Sequence, residues 1–309
     1  MRILRVALVM VLAWSTAAAG APQGKRFSSL EDAVDALVDA VRAHDRNALA
    51  QILGPHGGAL VSSGDDVADR RAGERFVAEY DTAHRLEGGG GKVVLYVGAD
   101  DFPFPIPLVP DGPSWRWDAD AGREEILSRR IGRNELSVIQ VCLAYVDAQR
   151  EYYAHSHTRS GILEYAQRFA SSPGKHDGLY WPTKAGESPS PLGPLVTRAQ
   201  AEGYARGTRT EAGRVPFHGY FYRILPRQGP HAPDGAYDYV VRGHMIGGFA
   251  LLAYPARYGA SGVMTFIVNH DGVVYQKDLG PATARAATTI QSFDPDTTWK
   301  RVDHATASR

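Results

Sequence analysis

The first pattern along the chain is a helical one, between residues 27 and 45. Its apolar positions recur three or four residues apart, at Ala33, Val34, Leu37, Val38 and Val41. This spacing places them on one face of an α-helix. Ser28 and Glu31 have the spacing of a capping box, which predicts that the helix begins there.

Two further helices are predicted after the first one. Asp45 is placed to cap a short second helix, which Gly54 and Pro55 would end. A third helix is predicted over residues 66–86, because its apolar residues keep the helical period. The glycine run 88–91 is expected to stop it.

A small antiparallel sheet is predicted next. The run 92–98 is rich in β-branched residues and predicts a strand. Residues 103–118 predict a hairpin that turns at Asp111 and Gly112, because Asp-Gly suits a tight turn. Helices followed by such a sheet predict a compact α+β unit.

The second half of the chain repeats this order on a larger scale. Residues 121–154 keep a helical period throughout. Residues 171–213 are rich in Gly, Pro and Ser and predict a loop region with one short helix. Several β-rich runs then follow, separated by turn residues: 219–225, 236–241, 247–255, 262–268 and 273–278.

The patterns together predict an α+β protein with two units. N-terminal helices pack on a small antiparallel sheet in residues 27–119. A long helix then packs on a second antiparallel sheet in residues 120–303, and residues 304–309 form a disordered tail. The length of 309 residues agrees with about two domains.

Charge narrows the classes of partner. Lys plus Arg and Asp plus Glu both number 34, so the chain lacks the basic excess that nucleic-acid binding requires. No run of basic residues predicts a membrane-surface patch either. The expected partner is therefore an unknown protein or a small ligand.

The N-terminus predicts export. Arg2 and Arg5 precede an apolar stretch, and small residues follow it at 17–19. This is the order of a signal peptide spanning residues 1–19, cleaved after Ala19. We expect a periplasmic or secreted protein with no transmembrane segment after cleavage. The only cysteine, Cys142, is expected to be buried and inert.

One candidate site is the stretch Asn269-His270-Asp271-Gly272 between two β-rich runs. Asp-Gly in this position predicts a hairpin turn, which would leave His270 exposed at its tip. Calcium binding at Asp271 is the alternative, although several further oxygen ligands would be needed. His270 and Asp271 stay candidate binding residues.

A second candidate site is the loop that carries His176, Asp177, Tyr180 and Trp181. A titratable pair beside two aromatic rings is typical of a contact patch. The alternative is a loop that Trp181 pins onto the core.

Patterns typical of enzymes and cofactor sites are missing from the sequence. It has no nucleophile elbow, zinc helix or phosphate loop. The Gly88–Lys92 run precedes a strand, whereas a phosphate loop precedes a helix. His155 and His157 could chelate a metal only with a third ligand. We therefore predict no catalytic residues, no metal and no cofactor.

Several long blocks resemble a known bacterial family. They include FPIPLV, RIGRNELSVIQVCLAYVDAQREYY, ILEYAQRFASSPGKHDGLYWP and GGFALLAYPARYGASGVMTFIVNHDGVVYQKDLG. These blocks resemble the family called Domain of Unknown Function 2950 over nearly all of the chain after residue 19. The resemblance implies an exported bacterial protein and assigns no activity.

Two fold-level resemblances accompany it. Residues 27–118 resemble the nuclear-transport-factor-2-like, or cystatin-like, fold, whose members often hold a ligand between helices and sheet. The stretch NELSVIQVCLAYVDAQREYY and the strands after it resemble the globular part of type IV pilins and pseudopilins. A whole domain stands here where a pilin has its anchoring helix, which argues against filament assembly by the usual route.

The sequence leaves two functions open. The first is a non-enzymatic envelope protein that acts in binding or assembly. The alternative is small-ligand binding or enzymatic activity in a pocket of the N-terminal domain.

Overall fold

A computed structural model describes residues 24–155, 161–184, 186–204 and 215–303. The predicted signal peptide, His157 and the predicted tail 304–309 lie outside these ranges.

Helices and antiparallel strands occupy separate stretches of the chain, as in an α+β protein, which confirms the predicted fold class. The helices are α1 (Leu30–Arg42), α2 (Arg46–Leu53), α3 (Gly58–Val61), α4 (Asp66–Thr82), α5 (Ala119–Ala154), α6 (Gly193–Ala201) and α7 (Thr283–Thr289). The strands before α5 are β1 (His84–Gly89), β2 (Lys92–Val97), β3 (Phe102–Pro103), β4 (Leu108–Asp111) and β5 (Ser114–Trp117).

The strands after α5 are more numerous and many are short. They are β6 (Tyr220–Leu225), β7 (Arg227–Gln228), β8 (Tyr237–Asp238), β9 (Val240–Val241), β10 (His244–Met245), β11 (Ala250–Pro255), β12 (Met264–Asn269), β13 (Val274–Asp278) and β14 (Lys300–Arg301).

The first sheet has the order β1-β2-β4-β5, with β3 beside β2, and all its pairs are antiparallel. Helices α1 and α4 pack on it. Trp117 fills the space between these helices and the sheet. Its ring is buried, and its Nε1 donates to Ala33 O at 3.0 Å. Phe104 packs against the same ring at a centroid distance of 5.6 Å.

The glycine run has a different role from the predicted one. Helix α4 ends at Thr82, and the chain then enters β1, which pairs with β2 through a turn at Gly90 and Gly91. Both glycines have positive φ, which the turn requires. The prediction of a helix to residue 86 is wrong because strand pairing overrides the helical period of this segment.

The cap of α1 also differs from the prediction by one residue. Ser29, not Ser28, is the N-cap, and its hydroxyl accepts from Asp32 N at 3.0 Å. Asp45 caps α2 as predicted, by accepting from Ala48 N at 2.9 Å.

Helix α5 belongs to both hydrophobic clusters of the molecule. Ala119 and the partly buried Ile126 and Leu127 pack with the first cluster, formed by α1, α2, α4 and the first sheet. Positions from Val138 to Tyr152 pack with the second cluster. The division into two domains stays a prediction, because one unbroken helix joins both clusters.

The second sheet has the order β14-β13-β12-β11-β6, also antiparallel. Strand β11 is its most buried strand, with every residue buried, and lies between β6 and β12. The run 236–241 does not form the single strand predicted for it. It divides into β8 and β9, which form separate two-stranded pairs with β7 and β10.

Within the described ranges, none of the helices combines the length and the apolar composition needed to cross a membrane.

Candidate functional site

The stretch 269–272 forms the predicted hairpin turn. Strands β12 and β13 pair up to Val268 and Val274. Gly272 has φ +78° and donates its N–H to Asn269 O at 2.9 Å. Asn269 also accepts from Asp271 N at 3.2 Å and donates to the Asp271 carboxylate at 2.9 Å. The side chains of the turn therefore stabilise its own backbone.

The prediction that His270 is exposed at a tip is wrong. Only 26% of its side chain is accessible, and its ring lies against Tyr239 and Phe249. Arg150 of α5 donates to His270 O at 2.9 Å and covers the turn from the other side. His270 is partly covered because α5 lies beside the end of the hairpin, which local sequence does not reveal, whereas Asp271 stays exposed.

The other His-Asp-Gly stretch of the chain, residues 176–178, lies in a loop over the C-terminal end of α5. Asp177 accepts from Ser172 N at 2.7 Å and from Ser172 Oγ at 2.9 Å. The backbone hydrogen bond from Ser172 is the main reason that the pKa of Asp177 lies below its usual value. Arg168 lies 3.7 Å from the same carboxylate.

His176 and Trp181 form a stacked pair that fixes the loop. Their ring centroids are 4.1 Å apart, and Trp181 is buried. Tyr152 of α5 donates to His176 O at 2.9 Å. Tyr180 acts through its backbone, because its N–H donates to Phe169 O at 2.8 Å. Trp181 therefore pins the loop to the core, as in the alternative reading of this segment.

Gln149 holds the same region and was not among the candidates from sequence. It is fully buried on α5, and its amide donates to Ala166 O and accepts from Ala166 N, both at 2.8 Å. It also donates to Tyr145 Oη at 2.9 Å. A polar residue on the apolar face of a predicted helix is the signal that identifies such an anchor.

These anchors shape a polar cleft with a volume of about 750 Å³. Its wall carries two carboxylates, Glu164 and Asp177, and two cations, Arg168 and Lys175. Tyr152 also lines the cavity, and its pKa is raised to about 12 by burial first and then by Glu164 and Asp177. We call this cavity the polar cleft.

Glu164 and His244 form an ion-pair contact beside the polar cleft. The Glu164 carboxylate lies 3.0 Å from His244 Nδ1, and its side chain is 14% accessible. Sequence analysis selected neither residue, because they are 80 positions apart. Tyr165 N donates to Met245 O at 2.8 Å and brings the two segments together.

The polar cleft contains only part of the predicted site. His176 and Asp177 line it, whereas Tyr180 and Trp181 support the loop from beneath. His270 is not part of its wall. Instead, Asp271 and His270 lie at the hairpin turn, which Phe249 separates from Tyr165 of the cleft.

A second cavity of about 370 Å³ has an apolar wall. Helix α5, helix α6 and β6 contribute to it through Val141, Tyr145, Leu195, Phe221 and Tyr222. Its described lining residues include no charged side chain. It suits an apolar group, but it lacks the charged donors and acceptors that the polar cleft has.

The thiol and the possible metal ligands complete the list of reactive groups. Cys142 is a free, buried cysteine, and burial raises the pKa of its thiol to about 12. Such a thiol is a poor nucleophile. No group of three or more His, Cys, Asp and Glu that could hold a metal occurs in the part of the chain that the structure describes.

Comparisons with known proteins give one match. A family model described as a protein of unknown function (DUF2950) matches residues 24–302. No curated protein matches the chain. No solved structure matches it either.

Proposed function

Because the chain belongs to the DUF2950 family of proteins of unknown function, we propose its role from the site itself. It is an exported envelope protein that acts by non-enzymatic binding of a polar ligand. Export is supported by residues 1–19, which have the charged, apolar and small-residue order of a cleaved signal peptide.

The polar cleft is the observation that carries the binding role. Carboxylates of Glu164 and Asp177 and the cations Arg168 and Lys175 share one wall. A ligand with both an ammonium and a carboxylate group, such as a short peptide, can pair with both kinds of charge. The volume of about 750 Å³ is within the range of small-molecule sites.

The state of the titratable groups favours binding over catalysis. Asp177 is held by two hydrogen bonds from Ser172, and Glu164 lies in contact with His244. Groups fixed in this way present a rigid charge pattern to a ligand. The one thiol, Cys142, is buried in the core.

The packing of the N-terminal half also supports this choice of site. The space between its helices and sheet is filled by Trp117, Phe104 and Phe76, whose rings are in contact. Two cavities of this half are lined by residues outside the sheet, one near Val41 and one near Lys25. Neither cavity lies between the helices and the sheet, which is where the alternative function would place a ligand or an enzymatic site.

Binding is tested with zwitterionic dipeptides. Thermal-shift measurements on the purified chain identify dipeptides that bind, and calorimetry then gives their Kd. Lys175→Gln or Glu164→Gln should weaken Kd about tenfold, because each removes a charge-assisted hydrogen bond. Lys92→Gln in β2 removes the same charge outside the cleft and should leave Kd unchanged.

Two results would contradict the proposal. If no dipeptide shifts the melting temperature, the cleft does not recognise this class of ligand. If dipeptides are hydrolysed and Glu164→Gln abolishes the reaction, the protein is an enzyme. Export is checked separately, by sequencing the N-terminus of protein recovered from the periplasm or medium, where Gly20 is expected first.

A further inference from the structure

A second polar pocket, independent of the polar cleft, lies between α4 and α5. Its volume is about 210 Å³. Four arginines line it, two from each helix: Arg71, Arg75, Arg130 and Arg133. Glu202 and His218 of the second half close it, so both halves of the chain contribute. We call it the junction pocket.

Two of the four arginines already have partners. Arg71 lies 3.4 Å from the Glu202 carboxylate. Arg130 donates to the backbone oxygens of Ala59 and Leu60 and has Asp69 as its nearby acid. These contacts explain why Arg71 and Arg130 are held in the wall.

Arg75 and Arg133 are both solvent-exposed at the rim of the pocket. Within the ranges that the structure describes, neither side chain makes a hydrogen bond or an ion pair. Asp69 and Glu202 are the only carboxylates among the lining residues, so the described wall has an excess of two positive charges. His218 does not add to this charge at neutral pH, because burial lowers its pKa.

The arginines are also close enough to repel one another. The pKa of Arg75 is lowered first by partial desolvation of its exposed side chain in the pocket, and then by the positive charges of Arg133 and Arg71. The whole chain has 34 basic and 34 acidic residues, so the clustering is a local feature. Repulsion of this kind is relieved when an anion binds between the cations.

We propose that the junction pocket binds a compact oxyanion, namely the phosphate or carboxylate group of a small solute. Arg75 and Arg133 supply the planar guanidinium forks that pair with such groups, and Arg71 lies beside them. A volume of about 210 Å³ corresponds to about seven water molecules. That is room for phosphate or for the carboxylate groups of a short dicarboxylate.

Because of the position of the pocket, a bound anion would affect how the two halves of the chain are held together. The Asp65 carboxylate, next to α4, accepts from Tyr204 Oη and Gly219 N, both at 2.8 Å. Tyr204 and His218 belong to the second half of the chain and line the pocket. An anion bound there contacts both halves and stabilises their junction.

The proposal is tested by calorimetry on the purified chain at low ionic strength, with inorganic phosphate and with succinate. Saturable binding with one site is expected for at least one of them. Arg75→Gln and Arg133→Gln should each weaken Kd by about tenfold or more, because each removes a charge-assisted contact. Arg75→Lys keeps the charge but loses the fork, so an intermediate Kd is expected.

Arg123→Gln is the matched control. Arg123 lies exposed on the same helix and outside the pocket, and the variant removes the same charge. Binding of phosphate alone or succinate alone identifies the oxyanion. If neither anion binds saturably, or if Arg123→Gln weakens Kd as much as Arg133→Gln does, the proposal is wrong. Circular dichroism checks that each variant is folded. If Arg133→Gln does not fold, Arg75→Gln still tests the site.

Discussion

The tripeptide His-Asp-Gly occurs twice in this chain, at residues 176–178 and 270–272, and the two copies have different structures. The second copy completes a β-hairpin turn, whereas the first lies in a loop over the end of α5. Each histidine packs against an aromatic ring, and each aspartate accepts a hydrogen bond from a nearby side chain. The same three letters therefore do not specify one structure.

The two glycines show the difference most clearly. Gly272 is needed for its conformation, because its φ is +78° while a Cβ there would make only ordinary contacts, the nearest at 3.6 Å from Arg150 Nη2. Gly178 does not have a positive φ, but a Cβ there would lie 2.7 Å from Ala170 C and 2.8 Å from Ser171 N. One glycine is required by backbone geometry, the other by lack of space.

The largest expected effect comes from substituting these glycines. Gly178→Ala should lower the free energy of unfolding by about 1–3 kcal/mol, because the backbone must move to admit the methyl group. Gly272→Ala should cost about 1–2 kcal/mol, from the strain of a left-handed residue. Urea unfolding of the two variants and the parent measures both values.

Asparagine at the same positions separates the two causes. Gly272→Asn should be milder than Gly272→Ala, because Asn tolerates the left-handed region. Gly178→Asn should be more damaging than Gly178→Ala, because it is larger. If Asn is better than Ala at both positions, or worse at both, the distinction between conformation and space is incorrect.

A smaller effect is expected at His270. An exposed histidine at a hairpin tip would tolerate replacement by alanine within about 0.5 kcal/mol. Since His270 packs on Tyr239 and Phe249, we expect His270→Ala to lower the free energy of unfolding by about 1 kcal/mol. An unchanged melting temperature would contradict this packing and agree with the exposed position predicted from sequence.

The smallest effect concerns pH and Asp177. Hydrogen bonds from Ser172 lower the pKa of Asp177, so the folded protein binds a proton there less readily than the unfolded chain does. The resulting stabilisation is complete above the unfolded pKa of about 3.9 and is lost as the pH falls through the lower folded value. Stability should therefore decrease below about pH 4 through this group.

The variants Asp177→Asn and Ser172→Ala test this dependence. The stability difference between the parent and either variant should shrink as urea unfolding is repeated from pH 5 down to pH 3. The side chain of Asp177 is 38% exposed, so solvent screening keeps the effect small. A difference that stays constant over this range would show that the carboxylate gains nothing from Ser172.

Much of the fold follows from the sequence. Sequence patterns predicted α1, α5 from residue 121 and the strands β2, β6, β11, β12 and β13, because helical spacing and β-rich runs between turn residues are local signals. The segment after Thr82 and the run 236–241 were predicted wrongly. There the pairing of strands, which depends on distant partners, overrides the local preference.

The candidate site was predicted less completely. His176 and Asp177 line the polar cleft, and their role in binding stays a prediction. Glu164, His244 and the buried anchor Gln149 were missed, because their contacts join residues far apart in the chain. Sequence spacing carries no information about such pairs.

The sequence by itself determined the α+β class, the family, the charge balance and the position of the hairpin turn at Gly272, because these depend on composition or on neighbouring residues. The tertiary structure decided the exposure of His270, the reason for Gly178 and the grouping of Arg75 with Arg133. The exposure of His270 and the grouping of the two arginines depend on how α5 packs against segments distant from it in the chain. The reason for Gly178 depends on how its loop folds back onto its own backbone. Packing of this kind is a property of the folded molecule.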